Sequence, residues 1–273
     1  MTTNFKIAYQ GSEGSYSEEL LKKEFSNYSF VACESFTDLL KKVSSESCLG
    51  LLPVENSIAG TVNEAYEELI NSGLEISREF IKKIDHTLIG LSNSNFEKIT
   101  NVISHPQALQ QCSKFLQDSK LRITPVFDTA GSVFEILETQ DINTAAIAGE
   151  HFKNDERFKI LKENISNHQE NFTRFLLIGN EKLESNKENN KYSSVLISDD
   201  KPGSLLKALN IFSELNINLT KLESRPILGR PWEYKFYIDY ELQNEKKQME
   251  LIDGIKKVSK EFIILGHYPR ANP

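Results

Sequence analysis

A threonine and an arginine stand where an apolar, strand-like stretch begins late in the chain. The stretch is Asn171-Phe172-Thr173-Arg174-Phe175-Leu176-Leu177-Ile178-Gly179. Thr173 offers a hydroxyl donor and Arg174 a cation with five N–H donors, which together suit an oxygen-rich anion. The pair therefore predicts substrate binding at the mouth of a buried strand. The plainer alternative is that the Thr173 hydroxyl bonds nearby backbone and Arg174 lies on the surface.

Two other polar clusters also follow apolar runs. Residues 48–54 form an almost unbroken apolar run, typical of a strand buried on both faces of a parallel sheet, and end in Glu55-Asn56-Ser57. Ser104-His105-Pro106-Gln107 follows a second apolar run and opens a helix. Ligands of open α/β sheets bind at the carboxyl ends of strands, so we predict that both clusters contribute to one site. The alternatives are an N-cap for the first cluster and a merely hydrogen-bonded His105.

A glycine-containing segment, Gly11-Ser12-Glu13-Gly14-Ser15-Tyr16-Ser17, connects the first strand to the first helix. Glycines bring backbone N–H groups close to a ligand, and a helix N-terminus favours an anion. The spacing matches neither the dinucleotide fingerprint nor the P-loop, so a nucleotide is not indicated.

The elements that position these clusters form two groups in residues 4–180. Strands are predicted over 5–10, 29–33, 48–54, 123–127 and 144–148, with helices over 35–45, 63–71 and 106–119 and another opening at 128–130. Residues 76–84 and 87–91 alternate and are expected to cross between the groups, and the Thr173 strand returns after the second group. The fold class is α/β, as a two-lobed clamp with a cleft, similar in outline to periplasmic-type binding proteins.

A second domain is predicted over 192–270, after a polar linker at 180–191. Its pattern is a strand (192–198), a helix (203–215), two strands (218–224 and 232–240), a helix (245–260) and a strand (262–266). This is the ferredoxin-like βαββαβ order. A small open sheet has exposed edges, so we expect a homo-oligomer, either a dimer or a tetramer, formed through this domain.

The composition excludes several partners. The formal net charge is −7 and no long basic run occurs, which argues against nucleic acid and anionic membranes. No segment suits a signal peptide or a bilayer span, so we expect a cytoplasmic protein. The cysteines Cys33, Cys48 and Cys112 have no metal-like spacing and are expected to be reduced core residues. Nothing in the pattern requires a metal, nucleotide or organic cofactor.

Several motifs together resemble the prephenate dehydratases that carry a C-terminal ACT regulatory domain. The Gly11 segment resembles G-P-E-G-T-F-S, with serine at 12, serine at 15 and tyrosine at 16. The clusters at 55–57 with Gly60, 104–109, 173–175 and 223–226 match E-N-S-x-x-G, S-H-P-Q-A-L, T-R-F and E-S-R-P. Gly203-Ser204-Leu205-Leu206 departs from the usual G-A-L-V/Y. The shared order of these motifs over nearly the whole chain carries the resemblance.

The resemblance implies conversion of prephenate to phenylpyruvate, CO2 and water, with feedback inhibition by L-phenylalanine. Thr173 would be the catalytic donor. Arg174 would hold a substrate carboxylate or shape the Thr173 loop through Glu55. The implied substrate-binding residues are Arg174, Phe175, Glu55, Asn56, Ser57, Ser104, His105 and Gln107. The implied L-phenylalanine site comprises Gly203, Leu206, Asn218, Leu219, Glu223, Ser224, Arg225 and Pro226.

Three alternatives stay open at this point. The same motifs would serve an arogenate dehydratase, which makes phenylalanine directly from the transaminated substrate. A non-catalytic cytoplasmic amino-acid sensor would use the clamp only to bind. In the second domain, Glu223 and Arg225 would form a structural ion pair in place of an effector site.

Overall fold

The computed structural model describes residues 5–46, 48–180 and 188–272. The chain divides into two compact units, one comprising the chain up to Leu69 with Phe80–Leu176, the other Ile70–Glu79 with Leu177–Asn272. The elements in chain order are β1 (Lys6–Gln10), α1 (Tyr16–Glu24), β2 (Ser29–Cys33), α2 (Phe36–Glu46), β3 (Leu49–Asn56), β4 (Gly60–Thr61), α3 (Asn63–Ser72), β5 (Glu75–Lys83), β6 (His86–Leu91), β7 (Asn101–Ser104), α4 (Pro106–Gln111), α5 (Ser113–Ser119), β8 (Arg122–Pro125), α6 (Gly131–Thr139), β9 (Thr144–Gly149), β10 (Phe158–Lys162), β11 (Phe172–Gly179), β12 (Lys191–Ser198), α7 (Ser204–Glu214), β13 (Leu219–Ile227), β14 (Arg230–Glu241), α8 (Glu245–Lys256) and β15 (Ser259–Tyr268), with short 3₁₀ helices at Phe96–Lys98 and Glu150–Asn154.

The first unit contains two sheets of mixed orientation. One has the order β5-β11-β3-β1-β2 with β4 beside β3, and β1 is parallel to both β2 and β3. The other has the order β10-β6-β9-β7-β8, in which β7 is parallel to β8 and β9 while β6 is antiparallel to β9 and β10. Because β5 and β6 lie in different sheets, the predicted crossing between the two groups is confirmed. The Thr173 strand, β11, returns to the first sheet beside β3.

The core of the first unit follows from the apolar runs. The apolar part of β3 is buried up to Leu52, and all of β9 is buried, as expected of strands covered on both faces. Cys33, Cys48 and Cys112 are all buried and free, which confirms their predicted state.

The predicted helix over 106–119 is wrong in one respect, because the structure has two helices that meet at Cys112. The cause is the Asn167 side chain. Its Nδ2 donates to the Gln110 carbonyl at 3.1 Å and its Oδ1 accepts from the Lys114 backbone N–H at 3.0 Å. These are the two backbone groups that a continuous helix would pair with each other, so Asn167 interrupts the ladder.

The next predicted strand and helix are also shifted. The strand ends at Pro125, not at 127, and the helix starts at Gly131, not at 128–130. Asp128 accepts a hydrogen bond from the Gly131 backbone N–H, which places this carboxylate just before the helix.

The second unit contains the predicted βαββαβ order, as β12-α7-β13-β14-α8-β15. Its strands lie in the order β13-β14-β12-β15 with antiparallel pairs throughout. Both helices supply apolar residues to one core with the strands, namely Ala208, Phe212, Leu251, Ile255, Leu196, Ile238 and Tyr240. The second helix ends at Lys256, four residues before the prediction, and the last strand is correspondingly longer.

The predicted linker ends before Lys191. Residues 181–187 of the linker lie outside the described residues, and Lys191 is the first residue of β12. The Lys191 ammonium is buried and lies 2.9 Å from Oε2 of Glu79 in the same unit. A lysine in a polar run is expected to be exposed. The carboxylate of Glu79, distant in the sequence, explains why Lys191 is buried instead.

Candidate active site

The first unit contains a cavity of about 400 Å³, a size suited to a small molecule. It is lined by residues from both sheets and their connections. The polar residues and glycines in the lining are Gln10, Gly11, Gly14, Ser15, Tyr16, Ser17, Asn56, His86, His105, Gln107, Gln111, Asp128, Thr129, Gly149 and Thr173.

Asn56 and Thr173 meet at this cavity from neighbouring strands. Oδ1 of Asn56 accepts from the backbone N–H groups of Ile58 and Ala59 at 3.1 and 2.9 Å, which fixes the orientation of the amide. Nδ2 therefore faces Thr173 Oγ1 at 3.0 Å and donates to it. Within the described residues the Thr173 hydroxyl has no protein acceptor, so its proton is available to a ligand.

Arg174 and Glu55 lie on the other side of the same two strands. Arg174 is buried, and its Nη1 lies 3.5 Å from Glu55 Oε2. Neither residue lines the cavity. Consecutive residues of a strand project to opposite faces, so Thr173 and Arg174 cannot both face one ligand. The contact with Glu55 is the one that the second role predicted for Arg174 requires, namely shaping the loop.

The remaining predicted residues divide in the same way. His105 lines the cavity, and its Nδ1 caps α4 by accepting from the Gln107 N–H at 3.2 Å, which leaves Nε2 as the donor of the neutral ring. Gln107 and the buried Phe175 also line the cavity. Ser104 does not, because its hydroxyl donates to the Ile147 carbonyl at 2.7 Å.

Ser57 is also outside the cavity lining. Its hydroxyl accepts from the Phe172 N–H at 2.9 Å and donates to the Glu170 carbonyl at 3.2 Å. The serine thus ties the end of β3 to the start of β11.

The polar residues at or near the cavity that were not predicted as site residues include Tyr16, His86, Gln111 and Asn171. Gln111 Oε1 lies 2.7 Å from His86 Nε2 and accepts from Asn171 Nδ2 at 3.1 Å. Gln111 follows Gln107 by four residues, so helical spacing alone would have placed both on one face. His86 and Asn171 carry no such signal, because only the meeting of distant strands brings them together.

The charge of the cavity is unusual for an anion site. Its lining includes no lysine or arginine among the described residues, and Asp128 supplies a carboxylate. Asp128 Oδ1 accepts from the Ser12 hydroxyl at 2.9 Å, which joins the loop after β1 to the loop after β8. Donors for an anion must therefore come from hydroxyls, amides and backbone N–H groups at helix starts.

Gly14 allows this loop to approach the second sheet. It has a φ of +76°, and a Cβ there would lie 2.5 Å from Cζ of Phe152. Any other residue at 14 would be strained and would push the loop away.

The helix that follows is held by Glu19. Its carboxylate lies 2.9 Å from Lys82 Nζ and 3.1 Å from His151 Nδ1. Burial raises the pKa of Glu19, but the bonds and charges of His151 and Lys82 outweigh it and lower the pKa to about 2.

Comparison with known proteins supplies the family. Residues 7–183 match the family model described as prephenate dehydratase, which is more than half of the chain. The chain belongs to the prephenate dehydratase family. Its curated relatives include a prephenate dehydratase from Methanocaldococcus jannaschii, 36% identical over 97% of this chain and 98% of the relative. The resemblance to prephenate dehydratases is thereby confirmed, and with it a hydro-lyase activity.

Solved structures share the whole fold. One, described as "GqqA- a novel type of quorum quenching acylases", has a TM-score of 0.86 and 27% identity and covers 98% of each chain. Another, the prephenate dehydratase from Arthrobacter aurescens in complex with L-Phe, has a TM-score of 0.87 and 24% identity, covering 97% of this chain and 90% of that one. In the described part of the chain, no helix combines the length and the apolar character that crossing a membrane requires.

We expect Glu19→Gln to lower the free energy of unfolding by about 1 kcal/mol at pH 7, a value reduced for the partial exposure of this ion pair. The folded-state pKa is depressed, so the contribution is present above about pH 4.5 and is lost as the pH falls towards about 2. Urea unfolding of both proteins between pH 2 and pH 7 checks this. A difference that stays constant across that window would contradict the assignment.

Proposed function

We propose that this chain catalyses the decarboxylating dehydration of prephenate to phenylpyruvate in L-phenylalanine biosynthesis, with the cavity of the first unit as the active site. The observation that carries the proposal is the Asn56–Thr173 pair, which directs a hydroxyl donor to a ligand. A catalytic domain over 4–180, folded as a clamp like the periplasmic-type binding proteins, and an ACT domain over 192–270 complete the proposal. The free buried cysteines suit a reducing, cytoplasmic location.

The reaction requires little acid strength from the protein. The substrate loses its ring carboxylate as CO2 and its ring hydroxyl as water, and the new aromatic ring supplies the driving force. Thr173 donates a hydrogen bond to the departing hydroxyl as negative charge develops on it. A threonine hydroxyl is a very weak acid, so it stabilises this charge or relays a proton and is not the final proton source. Asn56, by donating to Thr173 Oγ1, keeps the threonine proton directed outward.

The substrate carboxylates rest on neutral donors. The first turn of α1 after Ser15, the Nε2–H of His105 and the amide of Gln107 are all at the cavity. Phe175 packs beneath the ring. Arg174 acts through Glu55 by fixing the β3 and β11 ends that hold Asn56 and Thr173. Glu55, Ser57 and Ser104 have the same supporting role.

L-Phenylalanine is the proposed effector, and the second unit offers groups that suit it. Glu223 forms ion pairs with Arg225 and Lys221. Arg225 Nε is buried without an acceptor among the described residues, so a carboxylate would satisfy it. Gly203, with a φ of +81°, precedes α7, and the backbone N–H groups in the first turn of α7 suit the effector carboxylate. Leu206, Asn218, Leu219, Ser224 and Pro226 complete the proposed site.

A homo-oligomer follows from the same region. Within the described residues β13 pairs only with β14, so its other edge is open to a second copy. Exposed apolar side chains, namely Leu222, Leu228, Trp232 and Tyr234, lie on or between these two strands. A dimer or tetramer built on this edge would bring two effector sites together.

Arogenate is the second candidate substrate, and Asp128 is the observation that favours it. Prephenate brings two negative charges to a cavity that already contains a carboxylate. Arogenate replaces the keto group by an ammonium, which Asp128 would hold through Oδ2, the oxygen that Ser12 and Gly131 leave free. The proposal therefore includes turnover of arogenate beside prephenate.

The Thr173→Ala variant tests the catalytic proposal. We expect kcat on prephenate to fall about a hundredfold, because one donor to developing charge is lost. KM and the melting temperature should change little, and Thr173→Ser should retain most of the rate. Unchanged turnover would remove Thr173 from the mechanism, and retained binding without turnover in the wild-type protein would favour the sensor.

The Asp128→Asn variant tests substrate choice, since asparagine keeps Oδ1 as the acceptor for Ser12 and Gly131 and removes only the charge. We expect kcat/KM on arogenate to fall about tenfold and that on prephenate to stay or rise. Asp155→Asn, outside the cavity, is the charge-matched control. Equal changes for both substrates would rule out selection by Asp128.

Added L-phenylalanine should lower the rate on prephenate, and Arg225→Gln should raise the concentration for half-inhibition about tenfold, as expected when a charged hydrogen bond is lost. Arg230→Gln is the control, because Arg230 is an exposed arginine at the start of the neighbouring strand β14. If Arg225→Gln lowers only the melting temperature and leaves inhibition intact, the Glu223–Arg225 pair is purely structural.

A further inference from the structure

The donor residues at the cavity belong to a longer chain of hydrogen-bonded side chains. From Thr173 the chain runs through Asn56, Asn171 and Gln111 to His86 and ends at Tyr16. Its steps measure 3.0, 2.7, 3.1, 2.7 and 3.0 Å. Asn171 is fully buried and His86 is 3% exposed, so water does not offer these groups alternative partners.

The direction of every bond in this chain follows from one end. The backbone N–H groups of Ile58 and Ala59 donate to Asn56 Oδ1, which directs Asn56 Nδ2 towards Asn171. Asn56 Nδ2 therefore donates to Asn171 Oδ1. Asn171 Nδ2 then donates to Gln111, and the accepting atom must be the amide oxygen of Gln111, Oε1. Each amide is therefore locked by the previous one.

The tautomer of His86 is the last consequence. Gln111 Oε1 is an acceptor and lies 2.7 Å from His86 Nε2, so Nε2 must carry a proton. Burial lowers the pKa of His86 below its ordinary value, which keeps the ring neutral and leaves Nδ1 as an acceptor. The Tyr16 hydroxyl lies 3.0 Å from Nδ1 and 3.0 Å from the Asp85 carbonyl oxygen. Burial raises the pKa of Tyr16 well above its ordinary value, so the hydroxyl keeps its one proton, which these two acceptors share.

We propose that His86 and Tyr16 are positioning residues that fix Gln111 as a hydrogen-bond donor to the substrate, beside Thr173. Gln111 lines the cavity, and its Nε2 has no acceptor among the described residues. With Oε1 held by His86 and Asn171, the amide offers the cavity only N–H groups. The substrate oxygens then meet two oriented donors, Gln111 Nε2 and Thr173 Oγ1. This inference rests on the proposed function for its catalytic meaning, but the tautomer stands without it.

The tautomer is measured by ¹⁵N NMR of histidine-labelled protein at pH 8. The chain has five histidines, so the spectrum of His86→Leu assigns the His86 signals by difference. We expect the Nε2–H form for His86, and in Tyr16→Phe a partial shift of the Nδ1 resonance because its donor is lost. The Nδ1–H form in the wild-type protein would overturn the proposal, whether or not the protein turns over prephenate.

The catalytic consequence is measured by a double-mutant cycle with Gln111→Leu. We expect His86→Leu to lower kcat about tenfold with KM within about twofold, and Tyr16→Phe to lower it about threefold. In the Gln111→Leu background both factors should shrink to below about twofold, because the group they position is absent. Thr87→Val, on the same strand and also buried, is the control and should have equal effects in both backgrounds.

The outcomes distinguish a failure of the positioning role from a failure of the proposed function. Equal loss from His86→Leu with and without Gln111, or no loss at all, would refute the positioning role. Should His86→Leu fail to fold, Tyr16→Phe carries the same cycle. A wild-type protein that turns over neither prephenate nor arogenate would refute the proposed function and leave the tautomer measurement to decide this inference.

Discussion

Adjacent residues of a β-strand project to opposite faces of the sheet, and the site depends on this alternation at the ends of β3 and β11. It separates two pairs that are neighbours in the sequence. Asn56 and Thr173 face the cavity, whereas Glu55 and Arg174 pair away from it. The Glu55–Arg174 ion pair and the Asn56–Thr173 hydrogen bond thus lie next to each other at the ends of β3 and β11, on opposite faces. Each of the two contacts helps to hold the strand ends on which the other depends.

In the proposed function, the consequence is a cavity that binds an anion through neutral donors. A guanidinium beside the ring would hold a carboxylate strongly in the ground state, but strong binding of the substrate alone gives no rate. Hydroxyl and amide donors in fixed orientations stabilise charge where it develops. This arrangement requires that no amide can flip, and hydrogen bonds among Asn56, Asn171, Gln111 and His86 hold the amides in place.

The two sheets of the first unit are brought together by one segment, the loop and helix from Gly11 to Glu19. Ser12 bonds Asp128, Tyr16 bonds His86, and Glu19 contacts His151. Each of these contacts joins residues more than sixty positions apart in the chain. The same segment supplies the α1 helix start at the cavity, so the residues that join the two sheets also line the cavity.

Much of this was determined by the sequence alone. Apolar runs ending in polar clusters predicted the strands and the cavity positions of Asn56, His105, Gln107 and Thr173. Alternation over 76–84 and 87–91 predicted the crossing at β5 and β6. The order of short motifs predicted the family. These features are local, since they follow from periodicity and from residues a few positions apart.

Tertiary structure alone decided the rest. The separation of Arg174 from the cavity depends on which face of β11 is covered, and the break at Cys112 depends on Asn167, more than fifty residues away. The burial of Lys191 depends on Glu79, and the roles proposed for His86 and Tyr16 depend on amides from three distant segments. In each case a polar group found its partner through the fold, and no local pattern in the sequence records such a pairing.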